Sequence, residues 1–176
     1  MNNLIFSFKN KKIKNLKNPK NILGGKGTNL AEMDRLGLPV PPGFIISTEV
    51  CDLFYRNKKK IPKNVLKNIQ QELKNIERLT NKKFGGLKNP LLISVRSGAR
   101  VSMPGMMDTI LNLGLNDHTV ESLAKKTMNA RFAKDSYRRF IQMYSNVVLN
   151  IKSHLFEEMI DNQKLDKGVL LDTELD

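Results

Sequence analysis

The chain has no tryptophan, one cysteine, two histidines and an aromatic fraction of only 6%. Acidic residues are also scarce, 17 against 30 lysines and arginines, which leaves a net charge of +13. Each scarcity removes a class of protein. One cysteine, Cys51, excludes an internal disulfide and reads as a buried or bland thiol rather than a reactive one. No apolar run approaches the roughly 20 residues of a membrane span. The opening "MNNLIFSFKNKKIKNLKN" places a short apolar patch before its lysines, the reverse of a secretory leader. A cytoplasmic protein with no membrane partner is expected. The positive charge suggests a polyanion, but the lysines are scattered among asparagines. Without a stacking platform of aromatics they do not form a track for nucleic-acid phosphates. No specific nucleic-acid partner is expected.

At 176 residues the chain is one domain or a piece of a larger one. The 40% hydrophobic fraction is sufficient for a core. "LIFSF" (4–8) reads as a short strand, followed by a basic, Asn-rich loop reaching "NILGGKGTN". "TNLAEMDRLGLPVPPG" reads as a helix capped by Thr28, with Leu30, Met33 and Leu36 as its apolar stripe. Gly37 suits the left-handed position after that helix, and Pro39 prevents its continuation. "GFIIST" (43–48) reads as a strand, and residues 48–57 as a helix. After Pro62, the residues Leu66, Ile69, Leu73 and Ile76 stand at helical spacing. "NPLLISVRS" (89–97) is expected to be a buried strand. The longest helical pattern runs from about Ala130 to Leu149, with Ala133, Tyr137, Phe140, Tyr144 and Val147 on one face. A shorter helix is expected near "HLFEEMIDNQ", and the end "KGVLLDTELD" shows no closing element. Strands and helices mix without strict alternation, so the expected class is α+β.

Two stretches carry chemistry. In "LGGKGTN", three glycines surround Lys26 directly before the expected helix. Glycine lets a backbone approach a ligand closely, a helix start offers unpaired N–H groups, and lysine adds a full charge. The combination suits phosphate. It matches neither the Walker A spacing nor a dinucleotide G-x-G-x-x-G. A tight turn with one surface lysine is the competing reading.

In "LLISVRSGARVSMPGMMDT", alternation sets Ile93 and Val95 on one side and Ser94 and Arg96 on the other. A buried arginine needs an anionic partner, and a guanidinium suits two-point contact with phosphate. Beyond it come glycines, hydroxyls, Arg100 and methionines able to line an adaptable pocket or simply to fill a core. Asp108 is a candidate structural partner of Arg96 or Arg100.

Together, "ILGGKGTNLAEM", "LGLPVPPGFIISTEVC", "LLISVRSGARVSMPGMMDTILNLGLND" and "RFAKDSYRRFIQMYSNVV" resemble the N-terminal region of the pyruvate, phosphate dikinases. The resemblance extends from about residue 4 to 170. Phosphoenolpyruvate synthases and water dikinases share the V-R-S core but usually continue with another serine and an acidic stretch. The resemblance implies the first lobe of an ATP-grasp-type nucleotide-binding domain. In that family ATP phosphorylates a histidine on a swivelling domain, and a barrel passes the group to pyruvate. By motif, Lys26 and Arg96 correspond to contacts with the ATP phosphates, with Arg96 the catalytic candidate. Gly105, Met107, Asp108 and Thr109 correspond to the loop beside the nucleotide. The implied cofactor is ATP, with Mg²⁺ held by ligands outside this chain.

The chain is expected to be a single incomplete domain, residues 1–176, without the second lobe, the phosphohistidine domain or the pyruvate-binding domain. His118 and His154 are expected in exposed helix starts rather than in a phosphocarrier motif. A truncated product, a split-gene subunit partnered by the remaining dikinase domains, or an excised piece would each look like this. The function so implied is the ATP-binding portion of a dikinase, inactive alone. The alternative is a non-catalytic remnant that binds nucleotide weakly or binds a partner protein.

Overall fold

The computed structural model of the chain describes residues 4–8, 13, 15–98 and 109–175. Its helices and short antiparallel strands make an α+β protein, divided into two compact units. The first comprises residues 1–81 and 97–107, the second residues 82–96 and 108–176.

In the first unit, strand β1 (Ile5–Ser7) pairs antiparallel with β2 (Phe44–Ile46), with Phe6 opposite Ile45. Both faces of this ribbon are covered. Ile5 packs with Val50 and Val65, while Phe6 packs with Leu23 and Ile45. Val50 belongs to α2 (Glu49–Arg56), Val65 to α3 (Lys63–Thr80) and Leu23 to α1 (Pro19–Arg35). Helix α3 is rotated relative to its expected stripe. Val65 is fully buried and Ile76 nearly so, whereas Leu66 is exposed. Val65 and Ile69 are the residues of α3 that meet this core.

Helix α1 departs further from expectation. It begins at Pro19, in the stretch expected to be a loop, because proline suits the first helical turn. Thr28 therefore lies inside the helix rather than at its cap. The expected stripe does not form the buried face: Met33 and Leu36 are exposed, and Leu23, Gly24, Gly25 and Gly27 are buried instead. The end of α1 is as expected. Gly37 has φ +78°, its N–H donates to Asp34 O at 3.1 Å, and Leu38 N–H donates to Met33 O at 3.0 Å. These two bonds form a Schellman termination.

In the second unit, β3 (Ile93–Arg96) pairs antiparallel with β4 (Thr109–Leu113). An irregularity between Ile93 and Val95 accompanies Asn112 at φ +59°. The expected buried strand is a correction. Leu91 is buried, Ile93 is half-buried, and Ser94, Val95 and Arg96 are exposed. Among the described residues the helix packing on this ribbon falls on β4, through α5 (Ala130–Val147).

Helix α4 (Asp117–Thr127) starts with a reciprocal cap. Asn116 accepts from the N–H groups of His118 and Thr119, and the Thr119 hydroxyl accepts from Asn116 N–H. Along α5, Tyr137 and Phe140 stack with ring centroids 6.4 Å apart, and Tyr144 follows tilted against Phe140 at 5.7 Å. Helix α6 (His154–Lys167) outruns its expected length and ends at Gly168, φ +66°. The tail has a closing element after all, a 3-10 turn over Asp172–Glu174. Arg131 of α5 donates to Asp172 O and Leu175 O, both at 3.2 Å. Glu174 accepts from Leu170 and Leu171 N–H groups, which hold its carboxyl below its ordinary range.

Candidate nucleotide-binding site

The glycine-rich stretch lies at a break in α1. Gly24 has φ +71° and ψ 171°, a backbone state essentially confined to glycine. The helix restarts immediately after it, so Gly25, Lys26 and Gly27 stand in an initial turn, where backbone N–H groups have no partner within the helix. The partial positive charge of such a turn adds to that of the lysine.

Neighbouring contacts fix this turn. The Thr28 hydroxyl donates to Gly24 O at 2.8 Å. Thr48, directly before α2, donates its N–H to Ile22 O at 2.9 Å and its hydroxyl to Asn21 O, which ties down the segment before the break. Gly27 faces β2 so closely that a Cβ there would lie 3.1 Å from Ile45 Cδ1. Gly25 and Gly27 are buried while Lys26 between them is only partly so. Gly27 thus seats the turn on the ribbon, and Lys26, between two buried glycines, stays partly in solvent.

Arg96 ends β3 in the second unit, exposed, with Thr109 directly opposite it on β4. The sheet register therefore brings these two candidates together although they are distant in sequence. Arg96 is exposed rather than buried, so burial does not oblige it to take an anionic partner. Among the described residues no ion pair is recorded for it, which leaves its planar donor face free for a ligand. Lys26 belongs to the first unit and Arg96 to the second. Gly105, Met107 and Asp108, together with Arg100, lie outside the described residues.

The shifted titrations lie on α5 instead. Burial pushes the Asp135 carboxyl up, but hydrogen bonds and charge from Arg138 and Arg139 outweigh it and hold the group below its ordinary value. Arg138 approaches one carboxylate oxygen at 2.6 Å and Arg139 the other at 2.9 Å. The Tyr137 hydroxyl is raised, chiefly because it donates to the Asp117 carboxylate at 2.9 Å. His118 and His154 are exposed, in the first turn of α4 and of α6 respectively. Of the two expectations for Cys51, buried or bland, burial does not hold: it is a free, exposed thiol. Among the described residues no cluster of three His, Cys, Asp or Glu side chains could hold a metal, and no helix is long and apolar enough to cross a membrane.

Sequence reading missed the break at Gly24 and the tether from Thr48. The Gly-Gly pair inside a helix opened by Pro19 was the available signal for the break. Nothing local announces the tether, because Thr48 and Asn21 are 27 residues apart.

Residues 20–83, which span the break and Lys26, match the family described as "Pyruvate phosphate dikinase, AMP/ATP-binding domain". The pyruvate, phosphate dikinase of Clostridium symbiosum is 58% identical over 156 residues, 89% of this chain and 18% of that protein. The enzyme of Entamoeba histolytica is 53% identical over 157 residues, again 89% and 18%. The chloroplastic enzyme of Flaveria pringlei is 50% identical over 171 residues, 97% of this chain and 18% of its own. The chain matches the N-terminal, nucleotide-binding part of the pyruvate, phosphate dikinases. It spans about a fifth of the length of these dikinase relatives.

Proposed function

We propose that the chain binds ATP as the first lobe of an ATP-grasp-type domain and serves a pyruvate, phosphate dikinase reaction. That reaction converts ATP, pyruvate and phosphate to AMP, phosphoenolpyruvate and diphosphate. The observation that carries the reading is the Gly24 break, which sets Lys26 in a helix-starting turn inside the segment matching an AMP/ATP-binding domain. The dikinase relatives support it, and the 176 residues are then the N-terminal part of one nucleotide-binding domain, acting with the remaining dikinase domains.

Bound ATP would supply the phosphoryl groups. Lys26 would neutralise phosphate charge from a flexible stem, and the turn after Gly24 would offer N–H donors that need no reorganisation. Arg96 would grip a phosphoryl group at two points and stabilise charge that grows during transfer, with the Thr109 hydroxyl beside it in the sheet. By motif, Gly105, Met107 and Asp108, which lie outside the described residues, are assigned to the nucleotide as well. Mg²⁺ would be held by ligands beyond these residues.

The test is calorimetric titration with ATP. Each charged hydrogen bond to phosphate is worth about 1.5–3 kcal/mol. Lys26→Ala and Arg96→Ala should each weaken ATP about 10- to 100-fold. Arg96→Lys should restore only part, because an ammonium lacks the planar fork. Lys67→Ala on the exposed face of α3 removes the same charge elsewhere and should change little. Equal ATP affinity in all these variants would refute the assignment. The 176-residue chain alone should bind nucleotide without forming phosphoenolpyruvate.

A further inference from the structure

Where a helix breaks, the carbonyl groups before the break and the N–H groups after it lose each other as partners. In an unbroken α1, Asn21 O would accept from Gly25 N–H and Ile22 O from Lys26 N–H. Gly24, at φ +71° and ψ 171°, interrupts that pairing. Both carbonyls are taken instead by Thr48, through its hydroxyl to Asn21 O and its N–H to Ile22 O at 2.9 Å. One residue thus replaces the two donors that lie beyond the break. We propose that Thr48 is a positioning residue for nucleotide binding: by occupying these two acceptors it leaves the N–H groups of Gly25 and Lys26 to the phosphates. This rests on the ATP reading above.

The start of α2 shows that this hydroxyl does not serve its own helix. A threonine directly before a helix ordinarily caps it, accepting from an N–H of the first turn. Thr48 makes no such side-chain bond. The buried Ser47 serves α2 instead, its hydroxyl accepting from Glu49 N–H at 3.2 Å and its carbonyl oxygen from Val50 N–H at 3.0 Å. The Thr48 side chain is thereby released to reach a carbonyl 27 residues away. Thr48 follows β2 closely in the chain, and Gly27 lies against Ile45 of that strand. The strand therefore fixes α1 on both sides of the break, so the donors keep their aim before a ligand arrives. Without the hydroxyl, Asn21 O is an acceptor lacking its donor, and Gly25 N–H is the one that helix geometry offers it.

The experiment is a calorimetric titration of the whole 176-residue chain with ATP. Thr48→Val keeps the branched shape and the backbone N–H but loses the hydroxyl, and should weaken ATP about 3- to 10-fold. Thr48→Ser keeps the donor and should stay within about twofold of wild type. Thr80→Val controls for stability alone. Its hydroxyl donates to Ile76 O at 2.8 Å at the end of α3, in the same unit, and its loss should leave ATP binding unchanged. Thermal melts verify that both valine variants fold. A second reading needs no variant. In proton–nitrogen NMR spectra of the wild-type chain, the Gly25 and Lys26 amides should move when ATP is added, and also with inorganic tripolyphosphate, which carries no base. Wild-type affinity in Thr48→Val, an equal loss in Thr80→Val, or unmoved amides would each overturn the proposal. Lys26→Ala keeps the two readings apart. If it loses ATP while Thr48→Val does not, only the positioning role fails; if neither loses ATP, the ATP assignment itself is wrong.

Discussion

The hydroxyl of Thr28 donates to the carbonyl oxygen of Gly24 at 2.8 Å, across the start of the helical segment that carries Lys26. The side chain thus ties the first turn after the break to the residue that makes the break. A conformation open only to glycine is held on one side by this bond and on the other by the bonds from Thr48.

Replacing Gly24 should therefore have an outsized effect. Gly24→Ala forces alanine into a φ of +71° with ψ 171°, and should destabilise the protein by about 1–3 kcal/mol. ATP affinity should fall with it, because a straightened helix re-aims Lys26. Thr28→Val should cost about 0.5–1.5 kcal/mol and Thr28→Ser almost nothing. Urea denaturation ranks the three. A Gly24→Ala protein as stable as wild type would show that the break is not held as described.

Two other glycines separate a tolerant close contact from an intolerant one. A Cβ at Gly27 would lie 3.1 Å from Ile45 Cδ1, the mobile end of a side chain. At Gly114 it would lie 2.7 Å from the backbone oxygen of Leu91, on a residue whose φ is +115°. Gly114→Ala should cost about 2–4 kcal/mol, and Gly27→Ala less than about 1 kcal/mol. Thermal melts that order the two variants the other way would contradict the packing.

The cap of α4 makes a paired prediction. Asn116→Ala removes the acceptor for two N–H groups and should cost about 1 kcal/mol. Thr119 is fully buried, and its hydroxyl accepts from Asn116 N–H at 2.8 Å and donates to Gly114 O at 2.9 Å. Thr119→Val keeps the shape but leaves both groups unpaired, so it should cost about 1–3 kcal/mol. Denaturant midpoints of the two variants check this, and a neutral Thr119→Val would rule out the reciprocal bond.

Acid should loosen the second unit partly through Asp135. Its carboxyl is held below its ordinary value in the folded chain, so it favours folding while it is ionised in both states. As pH falls below about 4, the unfolded chain takes up the proton first and the contribution shrinks; it is gone once the folded carboxyl is protonated too. Asp135→Asn should lower stability at neutral pH and flatten its decline between about pH 4 and 2. High salt should mimic part of the loss, because Arg139 in this cluster is largely exposed. If wild type and Asp135→Asn keep a constant difference down to pH 2, the carboxylate does not contribute as described.

Much of this chain was legible residue by residue. β1, β2, α2 and α5 fall where local pattern puts them, because short apolar strands and long periodic helices are governed by neighbouring residues. The stop after Arg35 was legible for the same reason, since Gly37 and Pro39 leave the backbone little choice. Lys26 and Arg96 were marked as candidates by residue type and company, and the pairing of Arg96 with Thr109 then followed from the strand register rather than from the sequence between them.

What local pattern could not decide was which face of an element finds a neighbour. The periodicity of α3 contained Leu66 as well as Val65, and only the position of Ile5 and Val50 selected the valine. The apolar residues of α1 promised a stripe, yet Gly24, Gly25 and Gly27 lie on the buried face with Leu23, Gly27 against Ile45 of β2. The strand before Arg96 read as buried because its residues are apolar, and it is exposed because, among the described residues, helix α5 packs on β4 rather than on β3. The sequence by itself determined β1, β2, α2, α5, the end of α1 and the candidate ligand groups, since these depend on backbone preference and side-chain chemistry over a few residues. The tertiary structure alone decided burial, the break at Gly24 and the fold-back of the tail onto Arg131, since each depends on contacts between residues far apart in the chain.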